Sequence, residues 1–385
     1  CPLQHFGYRI RVLEPLVTEP KQTTILFTAF EPSGDALAAS AARGLAAIDP
    51  TIRQFGLGGG EMEVAGVEML AQTTHEAAMG FGAVSEIMRI KRLVEVVDRW
   101  IEENAPDVVV AVDSPAANFH VCKAARKHQC KVAHLAAPQL WGWAPWRIRK
   151  LRRLTDHVMC LLPFEQSWFE ERGVKATFIG HPAMESHVSQ EIDLPTGSPN
   201  IVMLPGSRAS EIATNLPMQQ NILHRICLEH QGTEAVIACR EEDVQRVEPL
   251  AEGIQIIGGN LPSVLEWADL ALTVSGTVSL HVMRHATPMI GMYRVGMLSR
   301  IGAACLLNTE HRLLPNLIAG KKIVPEFIPC GNIAPQIAEV ALDLLDDESS
   351  MEQQRESLCE TAKVYEGHSP GEKAAEIVLS LAMSA

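Results

Sequence analysis

The chain has 385 residues; at roughly 150 residues per domain that makes two or three domains, each long enough to bury its own core. Hydrophobic residues supply 47% and charged residues 21%, a globular composition that excludes a disordered chain. The 46 Asp and Glu outweigh 33 Lys and Arg, leaving a net charge of −13; with 5% aromatics this argues against a phosphate-backbone or base-stacking surface, and so against nucleic acid as a partner.

Residues 1–22 carry charges and prolines without the apolar centre of a signal peptide, which predicts a disordered tail. No apolar run approaches the roughly 20 residues of a membrane-spanning helix. The nine cysteines are scattered and form no C-x-x-C pair, the pattern of reduced thiols in a cytoplasmic protein.

From Thr24 onward, strand-sized apolar runs alternate with helical stretches. The predicted strands are Thr24–Phe30, Ile52–Leu57, Asp107–Val112, Lys131–Ala136, His157–Leu161 and Ala176–Ile179, with helices such as Ala36–Ala47, Ser85–Glu103 and Phe164–Arg172 between them. Short Val/Ile/Leu runs, each followed by a helix, predict parallel strands buried on both faces. The alternation pauses over a polar Pro/Gly-containing stretch and restarts at Asn200–Leu204, Glu234–Ala238, Gly253–Ile257, Asp269–Val274 and Pro288–Tyr293. Beyond Asn332 the pattern is purely helical. The expected architecture is α/β: two doubly wound, Rossmann-like domains at 23–186 and 200–345, a linker at 187–199, and C-terminal helices at 346–385. In such folds ligands bind at the carboxyl ends of strands, which predicts a cleft between the two domains.

Six post-strand loops can carry chemistry. In Glu31-Pro32-Ser33-Gly34-Asp35 a carboxylate and a hydroxyl open a helix; a plain helix cap by Ser33 or Asp35 explains the loop equally well. Gly56-Leu57-Gly58-Gly59-Gly60-Glu61-Met62 permits close backbone approach but is not G-x-G-x-x-G. Asp113-Ser114-Pro115 places a carboxylate at the end of the central strand, where it can accept a proton from an attacking hydroxyl; the alternative is a turn-initiating Asp. Three of the six tryptophans, Trp141, Trp143 and Trp146, precede a basic run that includes Arg147 and Arg149. They suit a sugar-stacking wall, a membrane-facing patch or core filling.

In the second half, Gly206-Ser207-Arg208 with Glu211, and Ser275-Gly276-Thr277, are paired turns into helices. Their N–H groups and Arg208 suit a nucleoside diphosphate. Neither is a Walker loop. His281 and His285 stand four apart, but no third ligand is evident, so no metal site is expected.

Taken in order, these segments resemble the lipid-A-disaccharide synthase family, bacterial glycosyltransferases of the two-domain GT-B fold. Glu31-Pro32-Ser33-Gly34-Asp35 is similar to the family's E-x-S-G-D, Leu162-Pro163-Phe164-Glu165 to L-P-F-E, and Phe178-Ile179-Gly180-His181-Pro182 to F-[IV]-G-H-P. Leu204-Pro205-Gly206-Ser207-Arg208 with Glu211 matches L-P-G-S-R-x-x-E, and Ser275-Gly276-Thr277 and Pro315-Asn316-Leu317 complete the series. The resemblance implies an inverting hexosyl transfer joining UDP-2,3-diacylglucosamine to 2,3-diacylglucosamine 1-phosphate, with release of UDP. Asp113 would be the general base, with Glu31 and Ser33 on the acceptor side. Gly206, Ser207, Arg208, Glu211, Ser275, Gly276, Thr277, His281 and Asn316 would hold the UDP-sugar. Trp141, Trp143, Arg147 and Arg149 would face the acceptor or the membrane. No cofactor is implied beyond the UDP-sugar as substrate. The expected partners are the two acylated sugars and the inner face of the cytoplasmic membrane, met peripherally, with a homodimer as the alternative to a monomer.

Several positions depart from the family pattern. Its D-x-P-D-F-N is read as losing the second Asp and gaining one residue before Asn118. His281 stands where the family has Glu, Met79–Glu86 is expanded, and Pro329 replaces a Gln. These imply a divergent member. A UDP-sugar epimerase on the same fold and a non-catalytic nucleotide- or lipid-binding paralogue are the competing readings. The segment Val295–Leu307 is a second membrane-facing candidate, with a buried helix as its alternative.

Overall fold

A computed structural model describes residues 22–73, 83–185, 189–295 and 309–384. The predicted tail through residue 21, Met79–Gly82, residues 296–307 of the apolar segment and the first two residues of the linker lie outside them.

The chain divides into two compact units. The first comprises the chain up to Pro182 together with Gly367–Ala385. Its strands are β1 (Thr24–Ala29), β2 (Arg53–Gly58), β3 (Glu68–Gln72), β4 (Val108–Val112), β5 (Lys131–Leu135), β6 (His157–Cys160) and β7 (Ala176–Phe178). They pair in parallel in the order β3-β2-β1-β4-β5-β6-β7. Strands β1 and β4 lie at the centre, and every residue of both is buried. Alternate side chains serve opposite faces. Ile25, Phe27, Val108, Val110 and Val112 cluster with the helix Pro32–Ile48, while Leu26, Val109 and Ala111 cluster with Ala83–Asn104 and Pro115–Lys127. Burial on both sides is why these strands read as unbroken apolar runs. Each fully buried Leu, Ile or Val contributes about 1.5–3 kcal/mol relative to exposure.

The second unit, Ala183–Glu366, holds β8 (Asn200–Leu204), β9 (Glu234–Cys239), β10 (Gln255–Gly258), β11 (Leu270–Val274), β12 (Met289–Arg294) and β13 (Glu326–Cys330). Their order is β10-β9-β8-β11-β12-β13, again parallel. Its core combines β8 and β11 with the helices Ala209–Glu229 and Ala334–Asp346.

Two strands escape the sequence pattern, and both lie at sheet edges. In β3, Glu-Met-Leu-Ala-Gln has no β-branched residue and a single buried position. In β13, Pro329 removes a donor, which an edge strand tolerates.

The expected C-terminal segment 346–385 is not one block. The helix Glu348–Ala362 stays with the second unit, whereas Pro370–Met383 belongs to the first, where Ala374, Ala375 and Val378 join the core around Pro32–Ile48. Glycines permit this close helix contact: a Cβ on Gly44 would lie 2.9 Å from the Gly371 carbonyl oxygen, and one on Gly371 2.8 Å from that of Ser40.

Candidate active site

In the first unit β4 delivers Asp113 at its carboxyl end. Asp113 and Ser114 both adopt left-handed backbone conformations, with φ of 48° and 39°. Such geometry disfavours any residue with a Cβ and costs about 1–3 kcal/mol at each position, so the surroundings must impose it. The Asp113 N–H donates to the Leu135 carbonyl at 2.9 Å. Asn118, fully buried on the helix Pro115–Lys127, donates through Nδ2 to the carbonyls of Val112 at 2.7 Å and Asp113 at 2.8 Å. Its Oδ1 accepts from Thr28 Oγ1 at 2.8 Å. Pro115 opens that helix, where a missing N–H costs nothing.

The Asp113 carboxyl is pushed above the usual carboxylate range. Burial is the main cause; the Ser114 N–H pulls the other way, and the negative charge of Glu31 adds to the rise. Glu31 is exposed at the start of the helix Pro32–Ile48 and accepts a hydrogen bond from Ser114 Oγ at 3.1 Å. Ser33 lies exposed in the first turn of that helix. The structure therefore gathers Glu31, Ser114 and Asp113 at one corner.

Asp35, which the sequence offered as a cap for its own helix, works elsewhere. Its buried carboxylate accepts from the N–H groups of Gly59 (2.7 Å), Glu61 (3.0 Å) and Met62 (3.3 Å), capping the next helix, Gly60–Val64. Those amides are thereby engaged within the protein.

The aromatic-basic segment divides. Trp141 turns inward: it is half-buried, donates Nε1–H to Glu165 at 2.9 Å, and meets the Phe164 ring edge-on at 4.9 Å. It is corrected from a surface-patch residue to a brace. Glu165 is buried, also accepts from the Leu162 N–H at 3.1 Å, and has a pKa pushed up to about 7 by its burial. Trp143 and Trp146 are outward, 38% and 65% exposed. Arg147 stacks over Trp143 at 4.9 Å, and Arg149 is exposed beside it.

In the second unit β8 ends in the Gly206-Ser207-Arg208 turn. Gly206 has φ of 110°, and a Cβ there would lie 2.8 Å from Glu211 Oε2. Glu211 occupies the turn. Its carboxylate accepts from the N–H groups of Ser207 and Arg208, both at 3.3 Å, from the Arg208 guanidinium at 2.8 Å and from Tyr293 Oη at 3.2 Å. Burial alone would raise its pKa; the Arg208 guanidinium and the two amides outweigh this and hold it below the usual range. Glu211 is thus a clamp on Ser207 and Arg208, and its negative charge is the opposite of what a diphosphate needs.

Ser275 follows β11 and donates Oγ–H to the Arg312 carbonyl at 3.0 Å; Gly276 is half-exposed and Thr277 exposed. His281 lies on the next helix, Val278–Arg284, with His285 just past its end. Among the described residues, no group of three His, Cys, Asp or Glu is placed to hold a metal ion.

Asn316 is corrected. It is fully buried, its Oδ1 accepts from the N–H groups of Ile323 (2.8 Å) and Val324 (2.9 Å), and its Nδ2 donates to the Val324 carbonyl (2.9 Å) and Glu326 (3.1 Å). With every amide valence used inside the fold, it braces the loop before β13 and does not reach a ligand.

Sequence reasoning missed Asn118, Thr28, Ser114 and Tyr293. For Asn118 the signal was present: Asp-Ser-Pro-Ala-Ala-Asn has the six positions of D-x-P-D-F-N, so the inferred extra residue does not exist. The second Asp and the Phe are replaced, by Ala116 and Ala117.

The family described as lipid-A-disaccharide synthetase matches residues 25–382. The chain belongs to this family. Curated relatives include the lipid-A-disaccharide synthase of Myxococcus xanthus, 31% identical across 93% of this chain and 97% of that one. That of Gluconobacter oxydans is 32% identical across 86% and 83%. As a member of the lipid-A-disaccharide synthase family the chain is a glycosyltransferase, of the hexosyltransferase class. Solved structures share the fold: the glycotransferase of kitacinnamycin aligns at TM-score 0.63 and 13% identity over 94% of this chain and all of that one. A putative UDP-N-acetylglucosamine 2-epimerase from Listeria monocytogenes aligns at 0.61 and 15% over 94% and 96%. The GT-B architecture expected from the motifs is therefore shown, while identities this low carry the fold alone.

Proposed function

We propose that this enzyme transfers the sugar of UDP-2,3-diacylglucosamine to the 6-hydroxyl of 2,3-diacylglucosamine 1-phosphate, with inversion, forming the β-1,6-linked disaccharide and UDP. The observation that carries this reading is the Asp113 carboxylate, presented at the end of the central strand on a strained turn with Glu31 beside it. Asp113 accepts the proton of the acceptor hydroxyl as its oxygen attacks the anomeric carbon from the face opposite the leaving UDP. Glu31 and Ser33 orient the acceptor. The charge developing on the diphosphate is met by Arg208, by the Ser207 side and by the Ser275-Gly276-Thr277 turn. Glu211 must then share Arg208 with the incoming anion, since it already holds that guanidinium. No cofactor enters the reading. No described helix is long and apolar enough to cross a membrane. The acylated substrates bring the enzyme to a bilayer surface, where Trp143, Trp146, Arg147 and Arg149 offer rings to the interface and cations to anionic lipid.

The test is a product assay with purified protein and both acylated substrates. Equimolar UDP and β-linked disaccharide 1-phosphate is the expected result. An epimerised UDP-sugar, or UDP released without disaccharide, overturns the reading.

A further inference from the structure

Asp113 sits on a backbone that it would not choose. A left-handed residue after a strand is commonly glycine, yet here two successive residues with side chains, Asp113 and Ser114, are left-handed. The cost has to be offset locally. The offset is concentrated in one side chain. Asn118 reaches back from its helix and donates through Nδ2 to the carbonyls of Val112 and Asp113, one just before the reversal and one within it, with a longer bond to the Thr28 carbonyl at 3.4 Å. Its own orientation is set by Thr28 on β1, whose hydroxyl donates to Oδ1 and so fixes which end of the amide faces the turn. Both residues have no exposed surface. A buried amide satisfied at both ends is rigid, because every alternative rotamer strands polar atoms in the core.

We propose that Asn118, oriented by Thr28, is the positioning residue of this site: it holds the Asp113-Ser114 turn left-handed and so aims the Asp113 carboxylate at the acceptor hydroxyl. The proposal rests on the general-base reading of Asp113. It also explains how the motif works without its second Asp: Ala116 is exposed and Ala117 packs in the core, while the Asn that shapes the turn is kept. Ser114 adds a second restraint by tying the turn to Glu31, the charged group that acts on Asp113 from the neighbouring helix.

The experiment compares Asn118→Ala, Thr28→Val and Thr28→Ser with the parent enzyme, alone and combined with Asp113→Asn. Asn118→Ala is expected to lower kcat about 10- to 100-fold, the cost of a misplaced reacting group. The KM for the UDP-sugar and the affinity for UDP stay within about twofold, since donor groups are untouched. As the turn relaxes, Asp113 loses burial, so the acidic limb of the kcat profile moves to lower pH. Thr28→Val falls between Asn118→Ala and the parent; Thr28→Ser, which keeps the hydroxyl, stays near the parent. Added to Asp113→Asn, Asn118→Ala costs little more, because it acts through that carboxylate. Parental kcat and an unshifted limb in a folded Asn118→Ala overturn the proposal, as does a loss that multiplies fully with that of Asp113→Asn. If Asn118→Ala does not fold, Thr28→Val decides: unchanged kcat and pH profile overturn the proposal. Full turnover by Asp113→Asn removes the general-base reading and this proposal with it, whereas an inactive Asp113→Asn beside a normal Asn118→Ala removes only the positioning claim.

Discussion

The turns after the two central strands, β4 and β8, solve the same problem in opposite ways. Each must reverse the chain from a buried strand into a helix. After β8 the reversal uses Gly206, for which a φ of 110° carries no Cβ penalty, and the turn is fastened by the Glu211 carboxylate on a largely exposed Arg208. After β4 it uses Asp113 and Ser114, and the fastener is a buried amide. The first arrangement is the more exchangeable: the Arg208 side chain is 74% exposed, so a ligand anion can compete for its guanidinium while the largely buried Glu211 stays on the turn amides. The second is costly and fixed. A turn that admits and releases a charged leaving group should be the former; a turn that aims a base should be the latter.

Short of removing the Asp113 carboxylate itself, breaking the β8 turn gives the largest effect. Arg208→Ala should weaken UDP binding about 10- to 100-fold, the worth of one charge-assisted hydrogen bond to a diphosphate, measured by titration calorimetry. It should leave the pH profile of kcat in place. Unchanged UDP affinity would remove Arg208 from the donor site. Sharpening the β4 side, Glu31→Gln removes a like charge that helps to raise Asp113. The base then loses its proton more readily, and the acidic limb of the activity profile moves to lower pH. A shift upward, or none, would contradict the coupling. The smallest effect is expected at the outward patch. Arg147→Glu with Arg149→Glu should reduce sedimentation with anionic phosphatidylglycerol vesicles by about threefold to tenfold, at roughly 1 kcal/mol or less per exposed charge. Activity on detergent-dispersed substrate should be retained; equal sedimentation would exclude the patch as the docking face.

The legible parts of the fold were those where burial is two-sided. Runs such as Val108–Val112 have one physical explanation, a strand covered on both faces, and the structure places them at the centre. Edge strands were lost because their constraint is weaker: β3 has a single buried position, and β13 carries a proline. The partner of the final helix was not legible, because its Ala and Gly residues record only that some surface packs closely, not that the surface is the helix Pro32–Ile48. At the site, loop positions were legible and roles were not. Glu211, Asn316 and Asp35 look like ligand groups in a motif, yet they spend their oxygens on amides of their own chain. Asn118 looked like a displaced residue and instead donates to the carbonyls of the turn. A polar residue's partners depend on where its neighbours' backbone N–H groups end up, and that is decided by tertiary packing.

The most direct measurement of the central claim is the turnover of Asp113→Asn on both acylated substrates, taken with its affinity for UDP. An isosteric amide keeps the turn and removes the proton acceptor. With Asp113 as the base, kcat falls about 10²- to 10⁴-fold while UDP affinity and folding stay intact. Turnover within a few-fold of the parent enzyme would contradict it.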